Sequence, residues 1–156
     1  METELSKRKI LIVDDESANL KLLREILRQE YALVFARSGN EMLQYVGEKP
    51  DLILLDVMMP GMDGYEACAR LKMDAATQDI PVIFVTARGE VEDEVRGFSV
   101  GAVDYLTKPV QAAIVRARVA THLALRSARE VIECQNREIK KQNKALQEAA
   151  QLRDDV

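Results

Sequence analysis

Tryptophan is absent from the 156-residue chain and aromatic residues make up only 4% of it, so any core must be packed mainly by aliphatic side chains. Cysteine is limited to Cys68 and Cys134, too few for a disulfide framework or, by themselves, a zinc site. That usage fits a cytoplasmic protein with free thiols. No run approaches the roughly 18 apolar residues of a membrane helix. The run that follows Lys7-Arg8-Lys9, residues 10–13, is too short for a signal peptide. No charge of one sign dominates: 22 Lys and Arg stand against 26 Asp and Glu, a net charge of -4. Direct nucleic-acid binding, which needs a basic surface, is disfavoured. What is present is 47% hydrophobic and 31% charged residues, the balance of a globular protein of one domain with an appendage.

Up to about residue 110, short apolar runs alternate with amphipathic stretches. Ile10-Leu11-Ile12-Val13 and Leu52-Ile53-Leu54-Leu55 are unbroken runs ending at acids, as strands buried on both faces read. Residues 31–36, 81–85 and 102–106 read as three further strands. Between them, residues 17–29 carry Leu20, Leu23, Ile26 and Leu27 at helical spacing, with Ser17 as N-cap. Shorter helices are expected over residues 40–46, 65–73 and 91–100. Strand–helix alternation implies a parallel sheet covered on both faces, and five units suggest a flavodoxin-like doubly wound α/β sheet in strand order 2-1-3-4-5.

From Val110 to Leu152 there is no glycine and no proline, which predicts a helix on the order of 60 Å long. Only its first third is needed to cover the sheet. Leu125, Ile132, Ile139 and Leu146 recur every seven residues, and Asn136 and Asn143 fall four places after two of them. With the apolar column at d the asparagines take a, the pattern of a register-fixing coiled coil. The alternative is a solvated helix held by pairs such as Glu133 and Arg137. Isolated helices are marginal in water, so pairing with a second chain is expected. The division is an N-terminal tail over 1–8, a sheet domain over 9–124 and a helical extension over 125–156.

Asp14 and Asp15 follow the first strand and Asp56 ends the third, and in order 2-1-3 these strands are neighbours. Ligands of open α/β sheets bind at that edge. Three carboxylates there remain ionised only with positive charge among them. A hard dication with oxygen ligands fits, magnesium best, since it keeps waters and takes few carboxylates. Thr86 ends the fourth strand before the small Ala87, and Lys108 ends the fifth before Pro109. A hydroxyl and an ammonium beside a carboxylate nucleophile and a metal site are equipment for phosphoryl transfer.

The segments Ile12-Val13-Asp14-Asp15-Glu16, Leu55-Asp56-Val57-Met58-Met59-Pro60-Gly61-Met62-Asp63-Gly64, Val85-Thr86-Ala87 and Tyr105-Leu106-Thr107-Lys108-Pro109 resemble the receiver domain of two-component response regulators. The resemblance spans about residues 8–124. It implies that Asp56 is the phosphoacceptor, receiving its phosphoryl group from a sensor histidine kinase or a phosphotransfer protein. It further implies magnesium held by Asp14, Asp15, Asp56 and the Met58 carbonyl, Asp14 acting mainly through water. Thr86, Ala87 and Lys108 would bind the phosphoryl group, and Thr86 and Tyr105 would form the switch, the ring swinging inward as Thr86 moves. Val103 stands where the family often has an acid, away from the catalytic edge.

Such a chain is better described as a protein substrate than as an enzyme. The rival is a metal-dependent phosphatase that uses Asp56 on a small substrate. Phosphatases of that kind place an acid two residues after the nucleophile, where this chain has Met58, and enclose substrate under a cap. The run over residues 116–123 leading into the heptad helix resembles receivers joined to cyclic-dinucleotide enzymes or other signalling outputs, so a missing output domain and a homodimer through the helix are the expected partners. His122, lone on a long helix, reads as a packing or surface residue.

Overall fold

The computed structural model describes residues 7–87, 95–96 and 98–154. Five parallel strands form one sheet in the order β2-β1-β3-β4-β5, as the sequence predicts. They are β1 (Lys9–Val13), β2 (Ala32–Ala36), β3 (Leu52–Asp56), β4 (Val82–Ala87) and β5 (Asp104–Lys108). The helices are α1 (Ser17–Leu27), α2 (Gly39–Tyr45), α3 (Gly64–Met73) and α4 (Ala112–Asp154). The chain divides into two compact units, Met1–Leu123 and Ala124–Val156.

The first unit has a core on each face of its sheet because alternate strand residues point opposite ways. Leu11, Val13, Ile53, Leu55 and Phe84 pack with Met42 of α2 and with Ala67, Cys68 and Leu71 of α3. Ile10, Ile12, Leu52, Leu54, Ile83 and Val85 pack with Leu23, Ile26 and Leu27 of α1 and with Val115, Val119 and Leu123 of α4. Phe84 is the one aromatic residue among the largest fully buried side chains. Each fully buried Leu or Ile contributes about 1.5–3 kcal/mol relative to exposure, so the central strands anchor the sheet.

Element ends differ from expectation in instructive ways. Ser17 is the first helical residue of α1; Glu16 is the N-cap and makes no side-chain capping bond. The Asp14 carboxylate accepts from the Glu16 backbone N–H at 2.9 Å just before the helix. By contrast, Ser38 caps α2 by accepting from Glu41 N, and Asp63 caps α3 by accepting from Glu66 N. β5 begins at Asp104 rather than Ala102, because Gly101 turns with φ +104° just before. β4 and β5 run on to Ala87 and Lys108, two residues past their apolar runs, since the backbone ladder pairs Thr86 with Thr107 and Ala87 with Lys108. The helix expected over 91–100 falls partly outside the described residues; 95–96 and 98–99 are helical.

Candidate functional site

Parallel strands bring their carboxyl ends to one edge, and those of β1, β3, β4 and β5 deliver the parts of the site. Val13 pairs with Leu55 and Asp56 with Val85, so the residues after β1 and at the end of β3 meet beside β4. One carboxylate oxygen from each of Asp14, Asp15 and Asp56 lies within 4.8 Å of the others. The side chains of Asp14 and Asp56 are 1% and 4% exposed. Lys108 reaches in from β5: its Nζ donates to Asp56 Oδ1 at 3.1 Å and stands 3.4 Å from Asp14 Oδ2. The Lys108–Pro109 peptide is cis.

The electrostatics follow from crowding. Burial, and then the neighbouring Asp14 charge, push the Asp56 carboxyl up to about 6, against the bond and charge of Lys108. Burial alone would lower Lys108, but the Asp56 bond and the charges of Asp56 and Asp14 hold its ammonium above the ordinary lysine range. Asp14 Oδ2 is buried and, among the described residues, accepts no hydrogen bond. A buried carboxylate oxygen with only an ion-pair partner has spare coordination capacity, and an all-oxygen donor set suits a hard dication. The acids present therefore fit magnesium.

The loop after β3 is held closely beneath this cluster. Gly64 N donates to the Val57 carbonyl at 2.8 Å. A Cβ at Gly64 would strike the Asp56 carbonyl oxygen and come within 2.8 Å of Val57 Cα, so only glycine allows this approach. Met58 lies on that loop and is 75% exposed. Thr86 is buried at the same edge, and its hydroxyl donates to the Ala87 carbonyl at 2.8 Å. Ala87 is exposed beside it. The Tyr105 ring is already buried, with its centroid 5.7 Å from Phe84 and 5.3 Å from Phe98. Inward packing of Tyr105 thus coexists with a Thr86 hydroxyl bound to its own neighbour.

Three strand ends deliver three acids and a lysine to one rim, a fourth adds the Thr86 hydroxyl, and residues 10–120 match the response regulator receiver domain. The chain belongs to that family. It is a phosphorylation-activated receiver of two-component signalling, and membership does not favour the small-substrate phosphatase. A probable cyclic di-GMP phosphodiesterase of Vibrio cholerae serotype O1 is 42% identical over 134 residues, which cover 85% of this chain and 30% of the relative. The chain thus spans less than a third of that relative. A putative response regulator from Chloroflexus aurantiacus superposes with a TM-score of 0.73 at 36% identity, covering 76% of this chain and 99% of the other. The manganese-bound form of response regulator Rcp1 superposes with a TM-score of 0.60 at 28% identity, covering 65% and 81%. No helix among the described residues is long and apolar enough to cross a membrane.

The structure also reveals a cluster that sequence reading passed over. Asp104, at the start of β5, accepts from Arg118 at 2.6 Å, lies 2.8 Å from His122 Nε2, and bonds the Tyr105 backbone N–H at 2.8 Å. Burial raises the Asp104 carboxyl, but the bonds from His122, Arg118 and Tyr105 outweigh it and hold the group below the ordinary range. His122 is therefore a tether between α4 and β5. Arg118 and His122 are four residues apart, one helical turn, which is the signal that could have paired them.

Proposed function

We propose that Asp56 is the phosphoacceptor, taking a phosphoryl group from a phosphohistidine of a sensor histidine kinase or phosphotransfer protein. A carboxylate oxygen of Asp56 bonds to phosphorus as the phosphorus–nitrogen bond breaks, and the imidazole leaves. The product is an acyl phosphate on this chain. The observation that carries this reading is Lys108 held between Asp56 and Asp14 in a cluster with a third acid.

Asp14, Asp15, Asp56 and the Met58 carbonyl would hold Mg2+, with Asp14 acting mainly through water; the manganese-bound relative supports a dication here. That ion supplies neutralisation of charge on the phosphoryl oxygens. Lys108 pairs with one of those oxygens in place of its present carboxylate partners. The Thr86 hydroxyl exchanges the Ala87 carbonyl for another of them, and the Ala87 backbone offers its N–H. Phosphorylation adds roughly -1.5 to -2 charges and three acceptor oxygens, which gives Thr86 and Lys108 a reason to move. Tyr105, on the same strand as Lys108, carries that movement to the face of β5.

The receiver, taken as residues 9–124, relays this change through α4 into the extension over 125–156, and so to a homodimer or an output domain. The phosphodiesterase relative supports a cyclic-dinucleotide enzyme as the output of a longer protein, so any catalysis would reside there. The free thiols Cys68 and Cys134 support a reducing, cytoplasmic setting. Beryllofluoride with magnesium tests the phosphoacceptor. A stable adduct that Asp56→Asn abolishes is expected; an adduct that survives this substitution overturns the assignment.

A further inference from the structure

The second unit carries large apolar side chains that its own chain leaves uncovered. Leu125, Ile132, Ile139 and Leu146 are 59%, 55%, 53% and 68% exposed. They recur at the seven-residue period that keeps one stripe of a helix against a neighbouring helix. Asn136 and Asn143 stand three residues before Ile139 and Leu146, in the column that completes such a seam. A helix without this covering is marginal in water.

The asparagines decide which way a second copy lies. In a parallel, in-register pair Asn136 meets Asn136 and Asn143 meets Asn143. Each amide has both donors and an acceptor, so like satisfies like. In an antiparallel pair centred on the same columns, Asn136 faces Ile139 and Asn143 faces Ile132. Four amides then enter an apolar seam without partners. The antiparallel pair would gain Glu133 opposite Lys140 on its flank, but an exposed ion pair contributes less than a buried unpaired amide costs. In the parallel pair Glu133 lies towards Ala128 and Lys140 towards Gln135 of the other copy, so no like charges meet on the flanks. Arg129, one heptad before Asn136 in the a column, faces its own counterpart, and its long side chain carries the charge out of the seam to solvent.

We propose that the second unit binds a second copy of this chain as a parallel, in-register two-stranded coiled coil, with the leucine and isoleucine column at d and Asn136 and Asn143 at a. This rests on the reading of the extension as a dimerising helix and adds its direction and register. Asparagine layers specify register at a cost in stability, so the pair is a dissociable one. Cys134 falls at f, on the side away from the seam.

The test uses the full chain carrying Cys134→Ser with either Leu125→Cys or Leu146→Cys, with and without beryllofluoride and magnesium. Sedimentation reads the oligomeric state, and mild oxidation followed by a non-reducing gel reads which helices adjoin. A dimer in at least one state, with both variants forming interchain disulfides through the introduced cysteine (Cys68 being buried) and the parent Cys134 chain largely failing to, supports the proposal. A dimer in which neither single variant crosslinks, while Leu125→Cys combined with Ala150→Cys does, overturns the direction. Monomers in both states overturn the pairing itself. Circular dichroism checks that each variant keeps its helix. Loss of the beryllofluoride adduct at Asp56 would count separately against the phosphoacceptor, so the two failures are distinguishable.

Discussion

Lys108 Nζ donates to Asp56 Oδ1 at 3.1 Å although the two residues lie 52 positions apart, on strands that do not pair. β4 runs between them, so the ammonium reaches across a whole strand to a carboxylate that is otherwise buried beside Asp14. Removing it is expected to leave Asp56 worse placed to act as an anion. A hydrogen bond to a charged group contributes about 1.5–3 kcal/mol, so Lys108→Met should slow labelling of Asp56 by a phosphodonor about tenfold or more. Single-turnover labelling with acetyl phosphate measures this.

The raised Asp56 carboxyl makes stability depend on pH in a definite direction. Its folded value of about 6 lies above the ordinary 3.8, so the fold prefers the protonated form. The associated stability is fully present below pH 3.8 and is lost as pH rises through about 6. In metal-free buffer Asp56→Asn should therefore be more stable than the parent at pH 7.5 by on the order of 2 kcal/mol. The gap should close near pH 4. Urea midpoints at the two pH values in the presence of a chelator check it.

Magnesium should stabilise the folded chain by relieving the repulsion among the three acids. At a hundredfold excess over its dissociation constant the gain is about 2.7 kcal/mol, read as a rise in Tm. Asp15→Asn, which removes one of the three converging carboxylates, should lose most of that gain while leaving the core intact. Thermal melts with magnesium and with a chelator separate the two chains.

Asp104 predicts the opposite pH behaviour from Asp56. Its carboxyl is held low by His122 and Arg118, so the stability it confers is present above the ordinary carboxylate range and is lost as pH falls through the folded value. Asp104→Ala should cost about 1–2 kcal/mol at pH 7, discounted because Arg118 is half exposed. Hydrogen exchange should report faster opening of α4 near His122.

Much of the site was legible because its residues lie at the ends of short apolar runs, and parallel strands have no choice about which edge those ends share. Asp14, Asp15, Asp56, Thr86 and Lys108 could each be placed at that edge from the alternation alone. The apolar runs over 81–85 and 102–106 by themselves stop short of the ends of β4 and β5, since an apolar run stops where burial stops, whereas a strand continues while the backbone ladder pairs. Ser17 looked like a cap on residue type, but capping is a matter of backbone position, and the helix begins one residue earlier than that role allows.

By itself, then, the amino-acid order determined the alternation of elements, the order of the sheet, the family motifs and the unbroken helix, because those depend on local periodicity and on a few topological rules. Only the tertiary structure decided that Lys108 bridges two acids, that Thr86 is engaged with Ala87 while Tyr105 lies inward, and that His122 and Arg118 clasp Asp104. These are contacts between side chains, several of them distant in sequence, and which rotamer meets which partner is settled by packing that no local pattern encodes.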